Sequence, residues 1–272
     1  MLDTSRIAAA FHQKAGEYDQ NIRVQKRVVS QLANSVRLHL GATPADILDV
    51  GTGTGALLEK FTALYPAARL TGIDIAPEMC LRARQKLGKT CHIVTGDAES
   101  LPFKNDMFDL VVSASALQWV ENLSAALSEM RRVVRQGGSI SLAFFCDGTL
   151  GEMQHCFRDA TARFGAGSGS GESRLHRFWS ADDVKSILDT MEFERAVVTV
   201  ETEIDWYDDL HSLLRSIKNI GAGTVSGGAV KGLGWRGVLQ EASRLYQKRY
   251  GVNDRIPATY KVLYLTAETA RM

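Results

Sequence analysis

Strand-length apolar runs alternate with amphipathic stretches along the first half of the chain. The apolar runs fall at residues 47–50, 70–73, 92–94, 108–113 and 139–145. Between them, apolar positions recur with helical spacing, as at residues 77–87 and 123–134. Apolar strands that take turns with helices indicate a parallel sheet covered on both faces. The pattern therefore predicts an α/β fold.

A helical segment is predicted ahead of this pattern, and we expect residues 1–44 to form an N-terminal helical cap. Gly16 is expected to break the first helix. A second helix is predicted from about Asn21, because apolar residues then recur on one helical face. These residues are Val24, Val28, Leu32 and Val36.

Beyond about residue 148 the regular alternation stops. Ser180 is followed by acidic residues and is predicted to cap a helix that ends near Met191. Two further strands are predicted at residues 193–204 and 259–267, and the segment 165–171 is a Gly/Ser-rich loop. The helical, glycine-rich residues 205–256 are expected to be an insertion over the acceptor site. We therefore expect residues 1–272 to form one domain.

The first apolar run ends in a glycine-rich turn, Leu48-Asp49-Val50-Gly51-Thr52-Gly53-Thr54-Gly55. Ligands of open parallel sheets bind at the carboxyl ends of the strands, and glycine allows a ligand to approach the backbone closely. Asp74, at the end of the next predicted strand, can accept both hydroxyls of a ribose. Asp97 follows the third strand and is suited to bind the exocyclic amine of adenine.

Two kinds of nucleoside cofactor can follow a strand, a glycine turn and a helix. A dinucleotide requires G-x-G-x-x-G and places its pyrophosphate on a helix N-terminus. Here the spacing is G-x-G-x-G, and Asp49 precedes it. A carboxylate would repel a pyrophosphate but suits the amino group and sulfonium of S-adenosylmethionine. The motif therefore favours S-adenosylmethionine, with S-adenosylhomocysteine as the product.

Composition and charge narrow the choice of partners and compartment. The 272 residues include 32 Lys and Arg against 31 Asp and Glu, a net charge of +1 that gives no reason to expect nucleic acid or a membrane as partner. No apolar run reaches the roughly 20 residues of a membrane helix, and we expect a cytoplasmic protein. The cysteines are too widely spaced to suggest a disulfide framework or a metal site. They are Cys80, Cys91, Cys146 and Cys156.

Residues 45–147 resemble the S-adenosylmethionine-binding core of the class I methyltransferase superfamily. The likeness rests on Asp49 with its three glycines, Asp74, Asp97-Ala98, the strand at 108–112 and the Gly137-Gly138 turn. It implies a Rossmann-like, seven-stranded sheet with N-terminal helices and a helical insertion, or lid, before the last strand.

The flanking segments resemble the malonyl-[acyl-carrier protein] O-methyltransferases of biotin synthesis. The similar segments are residues 11–19 (FHQKAGEYD) with Gln25, 115–120 (SALQWV), 176–179 (HRFW), 213–222 (LLRSIKNIGA) and 257–264 (PATYKVLY). The likeness thus covers almost the whole chain, and the loop at 165–171 departs from it.

The motif and the resemblance together imply two sets of site residues. The cofactor set is Tyr18, Gln25, Asp49, Gly51, Thr52, Gly53, Gly55, Asp74, Ile75, Met79, Asp97, Ala98, Glu99 and Ser113. The catalytic set is Tyr18, Gln118, Trp119, Arg177 and Lys218. Arg177 is the first candidate for the cation that orients the acceptor, since guanidinium can grip a carboxylate at two points, and Lys218 is the second.

The reaction implied by the resemblance is methyl transfer to the free carboxylate of a malonyl thioester. The thioester is expected on acyl carrier protein, with malonyl-coenzyme A as another acceptor. A carboxylate that is ionised at neutral pH needs no general base, so catalysis is expected to rest on alignment and removal of water. Two alternatives stay open: a methyltransferase of a small molecule such as a quinone precursor, and a non-catalytic module that retains the cofactor fold.

An acidic carrier protein would require a basic docking face. Three clusters of cations qualify, and the sequence does not choose among them. They are Arg23, Lys26 and Arg27; Arg131, Arg132 and Arg135; and Arg244, Lys248 and Arg249.

Overall fold

The computed structural model describes residues 9, 11–13, 18–164, 178–220 and 233–270. Three predicted features lie outside these residues: the helix break at Gly16, the loop at 165–171, and Arg177. Most of the glycines in the predicted insertion between the last two strands also lie outside the described residues.

One sheet of seven strands runs through the described residues, in the order β3-β2-β1-β4-β5-β7-β6. The strands are β1 (Asp46–Val50), β2 (Arg69–Asp74), β3 (Cys91–Thr95), β4 (Phe108–Ala114), β5 (Val134–Phe145), β6 (Arg195–Tyr207) and β7 (Ile256–Glu268). The first five strands pair in parallel, whereas β7 lies antiparallel between β5 and β6. Strands β2 and β3 lie on one side of β1, and β4 lies on the other. The chain therefore crosses the sheet between β3 and β4, and this crossover opens a crevice at the carboxyl ends of β1 and β4.

Helices cover both faces of this sheet. They are α1 (Tyr18–Asn21), α2 (Val24–His39), α3 (Ala56–Leu64), α4 (Pro77–Leu87), α5 (Leu123–Val133), α6 (Gly151–Arg163), α7 (Ala181–Leu188), α8 (Leu210–Asn219) and α9 (Leu233–Tyr250). Neighbouring residues of the central strands point to opposite faces, so Ile47 packs with α2 and α3 while Leu48 packs with α5 and α7. All five residues of β1 are buried. Each large apolar side chain buried in this way contributes roughly 1.5–3 kcal/mol.

The predicted α/β fold is confirmed, and the differences are local. The second N-terminal helix begins at Val24 rather than at Asn21, and β5 begins at Val134 rather than at residue 139. Ser180 caps α7 as predicted, since its hydroxyl accepts the Asp183 N–H at 3.0 Å. Helix α6 was not predicted.

Candidate active site

The turn after β1 requires glycine at its first position. Gly51 has φ +73°, and a Cβ on it would lie 2.2 Å from the Cβ of Ala116. The N–H groups of Gly51 and Thr52 both donate to the carbonyl of Ile73, at 2.8 and 2.9 Å, which fixes the turn against β2. Gly53 also has a positive φ, of +56°, but its Cβ position faces open space. The backbone at Gly53 is therefore open to close approach by a ligand.

Asp74 joins the end of β2 to this turn. Its carboxylate accepts the Gly53 N–H at 2.8 Å and the Ala76 N–H at 2.9 Å. Burial raises the pKa of the Asp74 carboxyl, against the opposing effect of these two hydrogen bonds. Each oxygen retains further acceptor capacity, so this carboxylate can also bind ligand hydroxyls.

Asp49 lies beneath the turn and is 1% exposed. It accepts the Thr52 hydroxyl at 2.8 Å. Burial, and secondarily the negative charge of Asp74, raise the pKa of Asp49 to about 7, although the hydrogen bond from Thr52 opposes the shift. Two carboxyl groups without a cationic partner among the described residues make this a site that favours a positively charged ligand.

A cavity of about 1070 Å³, open to solvent, lies over the turn; we call it the cofactor cavity. Most of the predicted cofactor residues line it, namely Tyr18, Gln25, Asp49, Gly51, Thr52, Gly53, Asp74, Ile75, Met79, Asp97, Ala98 and Glu99. The predicted residues therefore come together at the carboxyl ends of β1, β2 and β3.

Two predicted cofactor residues do not line this cavity. Gly55 has φ +83° at the start of α3, and a Cβ there would lie 2.7 Å from Leu87 Cδ1, so glycine serves backbone geometry and packing. Ser113 lies within β4 opposite Leu142, and its buried hydroxyl has no partner among the described residues.

Glu99 lines the cavity but also has a local structural task. Its Oε1 accepts the N–H groups of Glu121 and Asn122, at 2.7 and 3.0 Å, just before α5. Asp97 accepts the Glu99 N–H at 2.9 Å. These bonds hold the loop after β3 over the cavity.

A second cavity of about 480 Å³ adjoins the first; we call it the acceptor cavity. It shares part of its wall with the cofactor cavity, and we call these residues the shared wall: Phe11, Tyr18, Gln25, Ser115 and Trp119. Its remaining lining comes from distant parts of the chain: Gln118, Phe145, Thr149, Leu150, Phe178, Ile217, Ile220 and Tyr260. Of these lining residues only Tyr18, Gln118 and Trp119 were predicted to be catalytic.

The acceptor cavity contains polar groups with unused capacity for hydrogen bonds. Gln118 is 2% exposed, and its Nε2 donates to the Ser115 carbonyl at 2.8 Å. Gln118 Oε1 and the Ser115 hydroxyl are buried without a partner among the described residues. Ser115 also has a left-handed backbone, with φ +57°. Unpaired buried polar groups and strained backbone are typical of sites that receive a ligand.

Two N-terminal aromatic residues, Phe11 and Tyr18, line both cavities. The Phe11 ring packs edge-on against Trp119 and Tyr18, with centroids 5.7 and 6.2 Å apart. Asp19 accepts the Thr54 hydroxyl at 2.6 Å and pairs with Lys86 at 3.0 Å. The glycine turn and the N-terminal segment are therefore joined directly.

Lys218 does not line the acceptor cavity. Lys218 is exposed on α8, whereas Ile217 and Ile220 of the same helix line the cavity. The prediction that Lys218 grips the acceptor carboxylate does not fit this position, because helical residues 100° apart face different ways. Arg177 cannot be compared, since it lies outside the described residues.

No group of three or more His, Cys, Asp or Glu side chains among the described residues could hold a metal ion. None of the helices in the described ranges is long and apolar enough to cross a membrane. All four cysteines are buried and free.

Comparison with known proteins defines first the class of enzyme. A sequence profile described as a methyltransferase domain matches residues 48–142, which contain the end of β1, the glycine turn and β2 to β4. The YcgJ protein from Bacillus subtilis has the same fold, with a TM-score of 0.60 and 17% identity over 89% of this chain and all of that one. The plantazolicin methyltransferase BpumL, solved with S-adenosylhomocysteine, superposes with a TM-score of 0.55 and 16% identity over 98% of this chain and 97% of its own. The chain is a class I methyltransferase, and S-adenosylmethionine is its methyl donor, as predicted.

The particular family follows from a more similar relative. The malonyl-[acyl-carrier protein] O-methyltransferase of Geobacter sulfurreducens is 41% identical, over 97% of this chain and 98% of its own length. The chain belongs to the family of malonyl-[acyl-carrier protein] O-methyltransferases. The resemblance noted from the flanking segments is thereby confirmed.

Proposed function

We propose that this enzyme methylates the free carboxylate of a malonyl thioester carried on acyl carrier protein, an early step of biotin synthesis. The observation that carries the proposal is the shared wall between the cofactor and acceptor cavities. A methyl group can pass between ligands in adjoining cavities without crossing solvent. The name of the Geobacter relative and its similarity over nearly the full chain support the choice of acceptor.

The residues of the cofactor cavity suit S-adenosylmethionine, which supplies an electrophilic methyl group when bound. The open space at Gly53 lets a ligand lie against the backbone. We assign Asp74 to the ribose hydroxyls and Asp97 to the adenine amine, because both carboxylates follow strand ends in the lining. The negative charge of Asp49 would favour the cationic amino acid part of the donor. Loss of the methyl group removes the sulfonium charge, so release of the product would be easier than release of the donor.

The acceptor cavity suits a small carboxylate held by neutral donors. We assign the Ser115 hydroxyl to this contact as a donor, because it is buried without a partner among the described residues. The Gln118 amide can donate as well, through the second N–H of Nε2, since only one N–H is needed for the bond to the Ser115 carbonyl. The aromatic rings of Phe11 and Trp119 would exclude water from the nucleophilic oxygen, which raises its reactivity toward a methyl group. Arg177 remains our predicted cation for the same carboxylate.

The partner and compartment follow from the same proposal. The net charge of +1 fits an acceptor that is carried on a protein better than it fits a nucleic acid as the partner. The four free cysteines suit the reducing cytoplasm.

The direct experiment is a mass-spectrometric assay with methyl-labelled S-adenosylmethionine. Malonyl-carrier protein should gain one labelled methyl ester, and acetyl-carrier protein, which lacks the free carboxylate, should gain none. Malonyl-coenzyme A tests whether the carrier itself is needed. The proposal would be contradicted if acetyl-carrier protein were labelled. It would also be contradicted if neither malonyl thioester were labelled.

A further inference from the structure

Two of the three basic clusters predicted from the sequence are engaged within the chain. Arg135 pairs with Asp46 at 2.9 Å and with Asp109 at 2.6 Å, and Arg132 pairs with Glu129 at 2.7 Å. Asp46 begins β1 and Asp109 lies at the start of β4, so this cluster occupies the amino-end edge of the sheet. The cavities lie at the opposite edge, which makes this cluster unsuitable for delivering an acceptor.

The cluster on α9 is also largely neutralised. Arg244 pairs with Glu241 at 2.8 Å, and Arg249 pairs with Asp159 of α6 at 2.5 Å. The second of these pairs joins the two outer helices α6 and α9. Lys248 is exposed and makes no ion pair with a described residue, so it alone of this cluster offers an unpaired charge.

Four other exposed cations flank the acceptor cavity; we call them the mouth cations. They are Arg23, Lys26, Arg215 and Lys218. No acidic side chain of the described residues forms an ion pair with any of them. By contrast, Arg27 of the same predicted cluster pairs with Glu203 at 2.6 Å.

The mouth cations are close along the chain to residues that line the acceptor cavity. Arg23 and Lys26 stand beside Gln25, at the start of α2, and Gln25 belongs to the shared wall. Arg215 and Lys218 lie on the exposed side of α8, whose other side contributes Ile217 and Ile220 to the cavity. Helix α8 packs against α1, which brings the two pairs of cations to one region of the surface.

We propose that the mouth cations are the docking surface for an acidic carrier protein that delivers its thioester arm to the acceptor cavity. The inference rests on the proposed function and adds to it the face that binds the carrier. Unpaired positive charge next to the cavity attracts an acidic partner, whereas charges already paired within the chain contribute little to its field.

A charge-reversed double variant tests this surface, with one change on each helix: Lys26→Glu with Arg215→Glu. The matched control is Lys104→Glu with Lys248→Glu, which makes the same change in net charge at exposed positions away from the cavity. We expect KM for malonyl-carrier protein to rise about tenfold at low salt in the test variant, with little change in kcat. The control variant should behave like the wild type.

Salt and the acceptor serve as internal checks. The KM difference should shrink at about 1 M salt, where the Debye length falls to about 3 Å. KM for malonyl-coenzyme A should change far less than KM for the carrier substrate. The affinity for S-adenosylhomocysteine, measured by calorimetry, should match that of the wild type, which shows that the cofactor cavity is intact.

Three results would overturn the docking surface. The first is an equal KM for malonyl-carrier protein in the test and control variants. The second is a rise in KM that persists at high salt. The third is an equal rise in KM for malonyl-coenzyme A, which would mean that the cations bind the thioester arm rather than the carrier. In each case a wild-type enzyme that methylates malonyl-carrier protein would leave the proposed function standing. A wild-type enzyme that fails to methylate the carrier substrate would overturn both proposals.

Discussion

The cofactor cavity and the acceptor cavity are assembled in different ways. The cofactor cavity draws most of its polar groups from one stretch of sequence, from Asp49 to Glu99, where they lie at or near the ends of β1, β2 and β3. The acceptor cavity takes residues from Phe11 near one end of the chain to Tyr260 near the other. Among the described residues, the shared wall joins the two cavities and combines N-terminal residues with Ser115 and Trp119 from the segment after β4.

This difference indicates which part of the molecule can change its acceptor specificity while methyl transfer is retained. The backbone turn and the buried carboxylates of the cofactor cavity are fixed by the sheet, because Asp74 bonds the turn itself. The acceptor cavity is enclosed by helices and loops attached to that sheet. The same core can therefore serve other acceptors when its attachments differ.

The largest effect should come from Gly51→Ala. The new Cβ would collide with Ala116 and would force a left-handed backbone on alanine, at a cost of about 2–5 kcal/mol in the free energy of unfolding. Gly53→Ala is the control, since its Cβ has open space and the cost should be about 1–2 kcal/mol. Urea unfolding measures both. Equal stability of the two variants would contradict the packing of the turn described here.

Asp74→Asn should weaken cofactor binding and leave the acceptor cavity unchanged. The substitution keeps the shape but removes the charge that strengthens bonds to ribose hydroxyls, so affinity for S-adenosylhomocysteine should fall about 10–100-fold. Calorimetry measures the dissociation constant. An unchanged value would remove Asp74 from the ribose contact.

Gln118→Leu should weaken methyl transfer to the acceptor and leave cofactor binding unchanged. The change removes the buried amide from the acceptor cavity, and kcat/KM for malonyl-carrier protein should fall about tenfold, the equivalent of one lost hydrogen bond. The affinity for S-adenosylhomocysteine should stay within about twofold of the wild type. A parallel loss of cofactor affinity would show that the two halves are not separable.

The smallest effect should be the pH dependence of cofactor binding. Burial raises the pKa of Asp49 to about 7 in the free protein, and the ammonium group of S-adenosylhomocysteine favours the ionised carboxylate. Binding below pH 7 must therefore release a proton, so affinity for S-adenosylhomocysteine should rise about fivefold from pH 6 to pH 8. Calorimetry in two buffers of different ionisation enthalpy would detect that proton. In Asp49→Asn both the rise and the proton release should vanish; their persistence would assign them to another group.

The sequence predicted the sheet well because the first five strands each contain a short apolar run, and these runs alternate with helical patterns. It missed α6, since Leu150, the residue before this helix, has φ +55° and provides no side-chain cap that could signal a start. In contrast, the cap at Ser180 was predicted from the sequence, and the structure contains it as the capping box of α7. The start of β5 was placed too late because Gly137 and Gly138 interrupt its apolar pattern.

The two cavities differ in the same way in how far they could be predicted. Residues at strand ends, such as Asp74 and Asp97, follow from the order of elements alone. Ser115 and Tyr260 could not be recognised as lining residues, because only the tertiary packing brings β4, α8 and β7 around one space. Ser113 was predicted to bind the cofactor, but it does not line the cofactor cavity, whereas the next residue, Ala114, does, since successive side chains of a strand alternate between faces.

A crystal structure of the enzyme with S-adenosylhomocysteine and malonyl-carrier protein would test the central claim most directly, because this pair cannot react. The account predicts that the sulfur lies on the cofactor side of the shared wall. It also predicts that the malonyl carboxylate lies in the acceptor cavity within hydrogen-bond distance of Ser115 or Gln118. A carboxylate bound outside that cavity, or screened from the sulfur by the shared wall, would contradict it.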